Sequence, residues 1–295
     1  MTTKEHKQRM RCVVAPLTNA GGEGKTWVSM MIQSIFQLLH EPIVVADADQ
    51  GNRAARVVLG KVHLIDISED SEASAAKLMA QVEGGQSLLI DCGANALASS
   101  VNFNNMLAET AETLRGDGYE AYGLCVVSAN KPGAAAALKR LVTRFTPYFK
   151  LLWVFNDRDG SNRVPEGFVA DITVRNLDPG FVTLVHDAGG FTPIVLHGVD
   201  GHQHSSDYIS AYLWSFADQE GIRKLFGDAQ INSLSALLNR TVKRVDPMRI
   251  ERPLADEEYL ETVWKAKHLR AIWPTLGDVD AMMRALEDFK KTHIR

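Results

Sequence analysis

The sequence predicts an α/β protein: a mostly parallel, twisted sheet with helices on both faces, followed by a helical C-terminal region. Three observations carry that expectation. Continuously apolar runs of strand length alternate with segments whose apolar residues recur at helical spacing. The first apolar run leads through a glycine-rich loop into one of those helical segments. Finally, four apolar runs end in polar residues, after 17, at Asp47 and Asp49, at Asp91 and at Asn156. In parallel sheets the carboxyl ends of the strands form one ligand-binding edge.

The elements follow in order. Cys12-Val13-Val14-Ala15-Pro16-Leu17 reads as the first strand, and Val28, Met31, Ile32, Ile35, Phe36 and Leu39 space a helix. Beyond Glu41-Pro42, Ile43-Val44-Val45-Ala46 is apolar throughout, as expected of a strand covered on both faces. Val62 to Ile67 reads as a short strand, and 70–83 as a helix with Ala73, Ala76, Leu78, Met79 and Val82 on its apolar side. Ser87-Leu88-Leu89-Ile90-Asp91 is another buried strand, and a helix runs from Ala98 to Arg115. A strand over 121–128 gives way at Pro132-Gly133 to a helix through Phe145, and Leu151 to Phe155 is the next strand. Between 160 and 205, Gly, Pro and Asp punctuate two β-like runs, Phe181 to His186 and Pro193 to His197, expected as a hairpin or as additions to the sheet edge. From Asp207 the pattern is helical to the end, with breaks at Pro247 and Pro253. The expected division is a nucleotide-binding domain over 1–205 and a helical region over 206–295.

Composition limits the function classes. The chain has 295 residues, 45% hydrophobic and 23% charged, which suits a soluble globular protein. A net charge of −4 gives no general attraction to nucleic acid or anionic lipid. Cys12, Cys92 and Cys125 fall in or beside apolar strands and form no Cys-x-x-Cys pair, so reduced core cysteines are expected. Met1 to Arg11 is polar and charged, unlike a secretory signal, and no apolar run approaches the roughly 18 residues that span a bilayer. A cytoplasmic location follows as an expectation.

The stretch Asn19-Ala20-Gly21-Gly22-Glu23-Gly24-Lys25-Thr26 carries the chemistry. Glycines let backbone N–H groups wrap a phosphate without Cβ clashes, and the helix N-terminus adds partial positive charge. Lys25 would reach the β- and γ-phosphates, and the Thr26 hydroxyl would ligate Mg²⁺. A plain strand-to-helix turn needs neither the lysine nor the hydroxyl. Asp91, closing an apolar strand, is expected to hold the Mg²⁺ shell. Asp47 and Asp49 are candidates to orient an attacking water, and spacing does not choose between them. The alternative is that both cap a strand-to-loop turn.

Gly21-Gly22-Glu23-Gly24-Lys25-Thr26 resembles the deviant phosphate-binding loop of the ParA/MinD ATPases, and Asp47-x-Asp49-Gln50-Gly51-Asn52 resembles their switch aspartate segment without its proline. The resemblance covers 10–158 and implies an ATP- and Mg²⁺-dependent switch with Lys25, Asp47 and Asp49 as catalytic residues. It places nucleotide on Gly21, Gly22, Glu23, Gly24, Lys25, Thr26, Trp27 and Asn156, with Asn156 toward adenine, and metal on Thr26 and Asp91. Ala20 stands where that family carries a signature lysine, which reaches a partner's phosphates in a homodimer. Ile90-Asp91-Cys92-Gly93-Ala94 is similar to the conjugative-plasmid TraL/StbB/MobD-like branch, which implies a plasmid transfer or partition protein as partner. A dethiobiotin synthetase-like metabolic enzyme and a module that holds ATP with little hydrolysis are the alternatives.

Without the lysine, charge in a transition state must come from another cation, for which Arg53, Lys131 and Arg158 are candidates. Glu23 is expected to point outward or to pair with a cation, because a carboxylate facing phosphates costs affinity. His197, Asp200, His202 and His204 have loop-like spacing and read as a surface loop rather than a metal site. Arg240, Lys243, Arg244, Arg249 and Arg252 could meet DNA phosphates, but Asp246 and Glu251 dilute them and a solvated connector is the better reading.

Overall fold

The computed structural model describes residues 11–18, 20–48, 59–60, 62–66, 70–82, 84–93, 96–129, 131, 133–199 and 203–242. Asp49, Arg53, Asp200, His202 and the basic stretch from 243 onward lie outside the described residues. Contacts divide the chain into two compact units, Met1–Asn176 with Phe216–Leu234, and Leu177–Ser215 with Ser235–Arg295.

In the first unit the apolar runs form β1 (Cys12–Leu17), β2 (Ile43–Asp47), β3 (His63–Leu64), β4 (Ser87–Asp91), β5 (Glu120–Ser128), β6 (Lys150–Asn156) and β7 (Ile172–Val174). Among the described residues they make one seven-stranded sheet, ordered β3-β2-β4-β1-β5-β6-β7, and every pairing is parallel. From β1 the chain builds outward to one side, returns with β4, and then builds to the other. Such a reversal beside the first strand opens a crevice at the carboxyl edge. Register brings Asp47 level with Asp91 and Ser128 level with Asn156 along that edge.

The helices are α1 (Lys25–Leu38), α2 (Ser71–Gln81), α3 (Ala96–Ser99), α4 (Val101–Gly116) and α5 (Ala134–Val142). Side chains start two of them: Asp70 accepts from the Ala73 N–H, and Ser100 from the Phe103 N–H, both at 3.1 Å. α1 buries Val28, Met31, Ile32, Ile35 and Phe36 completely. Phe36 meets Phe226 at a ring distance of 4.9 Å. Burying a side chain of this size contributes about 1.5–3 kcal/mol, so α1 is fixed firmly on the sheet. The cysteines are buried and free. Burial pushes the Cys12 and Cys125 thiols up to about 12 and raises Cys92 as well, so they stay protonated.

The edge strand β7 was not foreseen from its three residues. Its outer backbone is paired by a side chain instead of another strand. Gln219 Oε1 accepts from the Thr173 N–H at 2.6 Å, and Gln219 Nε2 donates to the Thr173 carbonyl at 2.8 Å. Blocking an edge in this way removes a template for intermolecular pairing.

In the second unit the two β-like runs are helices, α6 (Pro179–Asp187) and α7 (Phe191–His197), which corrects the expected hairpin. Asp178 caps α6 by accepting from the Gly180 N–H at 3.1 Å, and Pro179 fits the first turn. Phe181 and Val185, four apart, are both buried. Capping and an i,i+4 apolar pair therefore outweigh the strand propensity of the valines. Phe181 stacks on Tyr208 and Phe191 on Tyr212, from α8 (Gln203–Ala217). Two further helices among the described residues, α9 (Glu220–Phe226) and the start of α10 (Asp228–Val242), belong to the first unit.

Gly221 in α9 packs hard on β7: an added Cβ would lie 2.5 Å from Ile172 Cγ1 and 2.9 Å from the Asp171 carbonyl oxygen. Gly221→Ala should therefore lose about 1–3 kcal/mol of stability in chemical denaturation, although alanine favours a helix. An unchanged midpoint would show that α9 can shift away.

Candidate functional site

The loop between β1 and α1 is shaped by positive backbone angles. Gly22 has φ 77° and Gly24, the N-cap of α1, has φ 94°, where other residues are strained. No side chain caps α1 at this end. Its first N–H groups are therefore not spent on a capping side chain, which suits an anion at the helix N-terminus. Lys25 is buried, and Thr18, below the loop, donates its hydroxyl to the Ala20 carbonyl at 3.3 Å.

Beside the loop stands the carboxylate that ends β4. Thr26 Oγ1 donates to Asp91 Oδ2, and Ser29 Oγ donates to Asp91 Oδ1, each at 3.0 Å. Thr26 and Ser29 are three apart on α1 and so share a helix face. Sequence reading found Thr26 but missed Ser29, although that spacing could have revealed it. Burial raises the Asp91 pKa to about 6, with a small addition from Asp47. Opposing it are the Thr26 hydrogen bond first, then the Lys25 charge and the Ser29 hydrogen bond. Asp47 is buried at the same edge, next to Asp91 in the β2–β4 register, and its carbonyl accepts from the Ile65 N–H at 2.9 Å. Asp49 lies outside the described residues.

The other side of the loop is tied to β5 and β6. Glu23 does not point outward as one of the two expectations had it. It is fully buried, and Oε2 accepts from the Ser128 N–H at 2.7 Å and the Ser128 hydroxyl at 2.6 Å. A cation stands near it, as the other expectation required: Lys131 Nζ is 3.9 Å from Oε1. Asn156 Nδ2 donates to the Glu23 carbonyl at 2.8 Å. The structure thus gives one donor of that amide to the loop itself. A Cβ on Gly24 would come within 2.0 Å of Asn156 Nδ2, so glycine is required there on both counts. Arg158 Nη1 donates to the Gly22 carbonyl at 2.6 Å. Asp157 Oδ1 accepts from the Asn162 N–H at 2.9 Å and so shapes the turn beyond β6. Ser128, a polar strand end like Asp91, is a site residue that the sequence reading passed over.

Gly21, Gly22, Glu23, Gly24, Lys25, Thr26 and the partly buried Trp27 therefore lie along one short arc, with Asp47, Asp91 and Asn156 ending strands of the same edge. The hydroxyl of Thr26 and the carboxylate of Asp91 are hard oxygen donors of the kind Mg²⁺ takes when phosphates supply further ligands. A parallel sheet in this order, with a glycine-rich loop opening α1 next to the carboxylate of β4, is an α/β fold of the P-loop NTPase kind.

Solved structures similar to this chain include the MinC:MinD cell division protein complex of Aquifex aeolicus, at 16% identity and a TM-score of 0.49 over 74% of this chain and 96% of that one. The septum site-determining protein MinD complexed with Mg-ADP, from Pyrococcus horikoshii OT3, is similar at 11% and 0.42 over 80% and 97%. Cobyrinic acid a,c-diamide synthase from Mycobacterium smegmatis with bound ADP and magnesium is similar at 13% and 0.39 over 71% and 96%. No protein-family model matches the chain, and a comparison with curated proteins returns no match. Among the described residues, no helix is long and apolar enough to cross a membrane.

The raised Asp91 pKa has a thermodynamic consequence. An acid that binds its proton more tightly when folded favours the native state at low pH. That contribution disappears as pH rises from the unfolded value near 4 through about 6. In denaturant titrations without ligand, wild type should lose on the order of 2 kcal/mol relative to Asp91→Asn across that window. Parallel pH profiles for the two proteins would contradict the assignment.

Proposed function

We propose that the chain is a nucleotide-dependent switch of the ParA/MinD type, binding ATP and ADP with Mg²⁺. The observation that carries the reading is the 3.0 Å hydrogen bond from Thr26 Oγ1 to Asp91 Oδ2. It joins the hydroxyl that closes the glycine-rich loop to the carboxylate that closes the neighbouring strand. The backbone N–H groups of Gly21 to Thr26 wrap the phosphates, and Lys25 offsets their charge. Thr26 and Asp91 would hold the Mg²⁺, which when bound neutralises charge on phosphate oxygens. Either Asp47 or Asp49 orients the attacking water or the metal shell.

The process we propose is plasmid transfer, partition or positioning in the cytoplasm. Support comes from the likeness of Asp47-x-Asp49-Gln50-Gly51-Asn52 and of Ile90-Asp91-Cys92-Gly93-Ala94 to that superfamily and its conjugative branch. Residues 1–205 carry nucleotide, and the helical region over 206–295 is read by a second copy or by a transfer or partition protein. Ala20 leaves the loop without the cation that the family contributes there. It favours slow turnover, and a protein that holds ATP without hydrolysing it is the second reading.

Calorimetry tests the assignment. Lys25→Ala should weaken Mg-ATP binding about a hundredfold or more, and unchanged affinity would remove the site from the loop. Asp91→Ala should abolish the Mg²⁺ dependence of binding while leaving metal-free binding in place. Persistent dependence would assign the metal to other residues. Phosphate release measured with and without DNA separates a switch from a holding module.

A further inference from the structure

Nucleotide binding leaves one feature of the loop unexplained: a carboxylate built into an anion site. Glu23 lies between Gly22 and Gly24 with no exposed surface. Ser128 satisfies Oε2 with two hydrogen bonds, whereas Oε1 is buried without a hydrogen-bond partner among the described residues. A buried carboxylate with an unsatisfied oxygen is costly, and a bound polyphosphate would add like charge beside it.

Two cations converge on this part of the loop within the same chain. Lys131 Nζ, from the connection after β5, is 3.9 Å from Glu23 Oε1. Arg158, from the turn after β6, donates to the Gly22 carbonyl at 2.6 Å, and its own carbonyl accepts from Asn176 Nδ2 at 2.6 Å. A Cβ placed on Gly22 would lie 3.3 Å from Arg158 Nη1 and 3.6 Å from Lys131 Nζ. Both positive groups therefore sit at the crest of the loop. Arg158 is committed to a carbonyl, and Lys131 faces the carboxylate oxygen that has no other partner among the described residues.

We propose that Lys131 is the positioning cation that makes a Glu23-bearing loop able to accept a polyphosphate. It acts through Glu23: its charge offsets the buried carboxylate, and Arg158 pins the crest through Gly22. The proposal rests on the nucleotide reading and adds to it a residue outside the loop that sets affinity by ligand charge. Because the effect is electrostatic, losing Lys131 penalises ATP more than ADP and ADP more than AMP. Neutralising Glu23 removes the need for Lys131.

The test is calorimetric binding of Mg-ATP, Mg-ADP and AMP to wild type, Lys131→Ala, Lys131→Gln, Glu23→Gln and the Glu23→Gln/Lys131→Ala double variant, with circular dichroism to verify folding. Lys131→Ala and Lys131→Gln should each bind ATP about tenfold more weakly, with a smaller loss for ADP, and the double variant should return to within about threefold of wild type. Lys131 variants that bind as wild type does overturn the proposal, while the nucleotide reading stands. A double variant as weak as Lys131→Ala also overturns it, because Lys131 would then act on the ligand and not through Glu23. Wild type that binds no nucleotide overturns the nucleotide reading, and the proposal with it.

Discussion

A buried carboxylate at the end of a central strand must be satisfied, and in this protein α1 satisfies it. Thr26 and Ser29, three residues apart on α1, donate to the two oxygens of Asp91. That pair of hydrogen bonds sets how α1 begins against β4. The direction of α1 in turn sets where the glycine-rich loop can lie. The fold around it keeps this geometry in place: β1 is buried along its whole length, and α1 buries several large side chains completely. The loop is thus a rigid bridge between two packed elements, which is the condition for precise anion binding by backbone groups.

On its far side the loop is held by charge as much as by packing. Glu23 reaches into the sheet edge and takes both donors of Ser128, Asn156 holds the backbone of Glu23, and Arg158 holds that of Gly22. Each contact comes from a strand end or from the turn just beyond it. The carboxyl edge of the sheet therefore supplies both the Asp91 carboxylate and the side chains that brace the other side of the loop. A side chain at Gly24 would collide with Asn156 at 2.0 Å, so brace and loop sequence depend on each other.

What the sequence made legible has a physical pattern. The strands β1, β2, β4 and β5 are almost wholly buried, covered on both faces, and such apolar runs read plainly, as does the apolar run of β6, where Leu151 and Trp153 are half-buried. That Lys25, Thr26 and Asp91 meet at one edge read plainly, because a glycine-rich loop opening a helix and a carboxylate ending a strand are both local patterns. The segment from Phe181 to His197 misled because β-branched residues suggested strands, while Asp178, Pro179 and the buried Phe181–Val185 pair specify a helix. β7 is three residues long and is completed by Gln219, 45 positions beyond its last residue, so no local pattern announces it. The inward turn of Glu23 depends on Ser128, whose contact with it spans 105 positions, and a loop motif by itself holds no information about that partner.

In the proposed nucleotide-bound state a phosphate chain occupies the loop and Thr26 and Asp91 hold its metal. Crystals grown with Mn²⁺ and a non-hydrolysable ATP analogue test it directly, because Mn²⁺ replaces Mg²⁺ on oxygen ligands and scatters anomalously. An anomalous peak is expected beside the Thr26 hydroxyl, with phosphate density against the backbone of Gly21 to Thr26. Analogue bound elsewhere, or a loop that remains empty at saturating analogue, would contradict it.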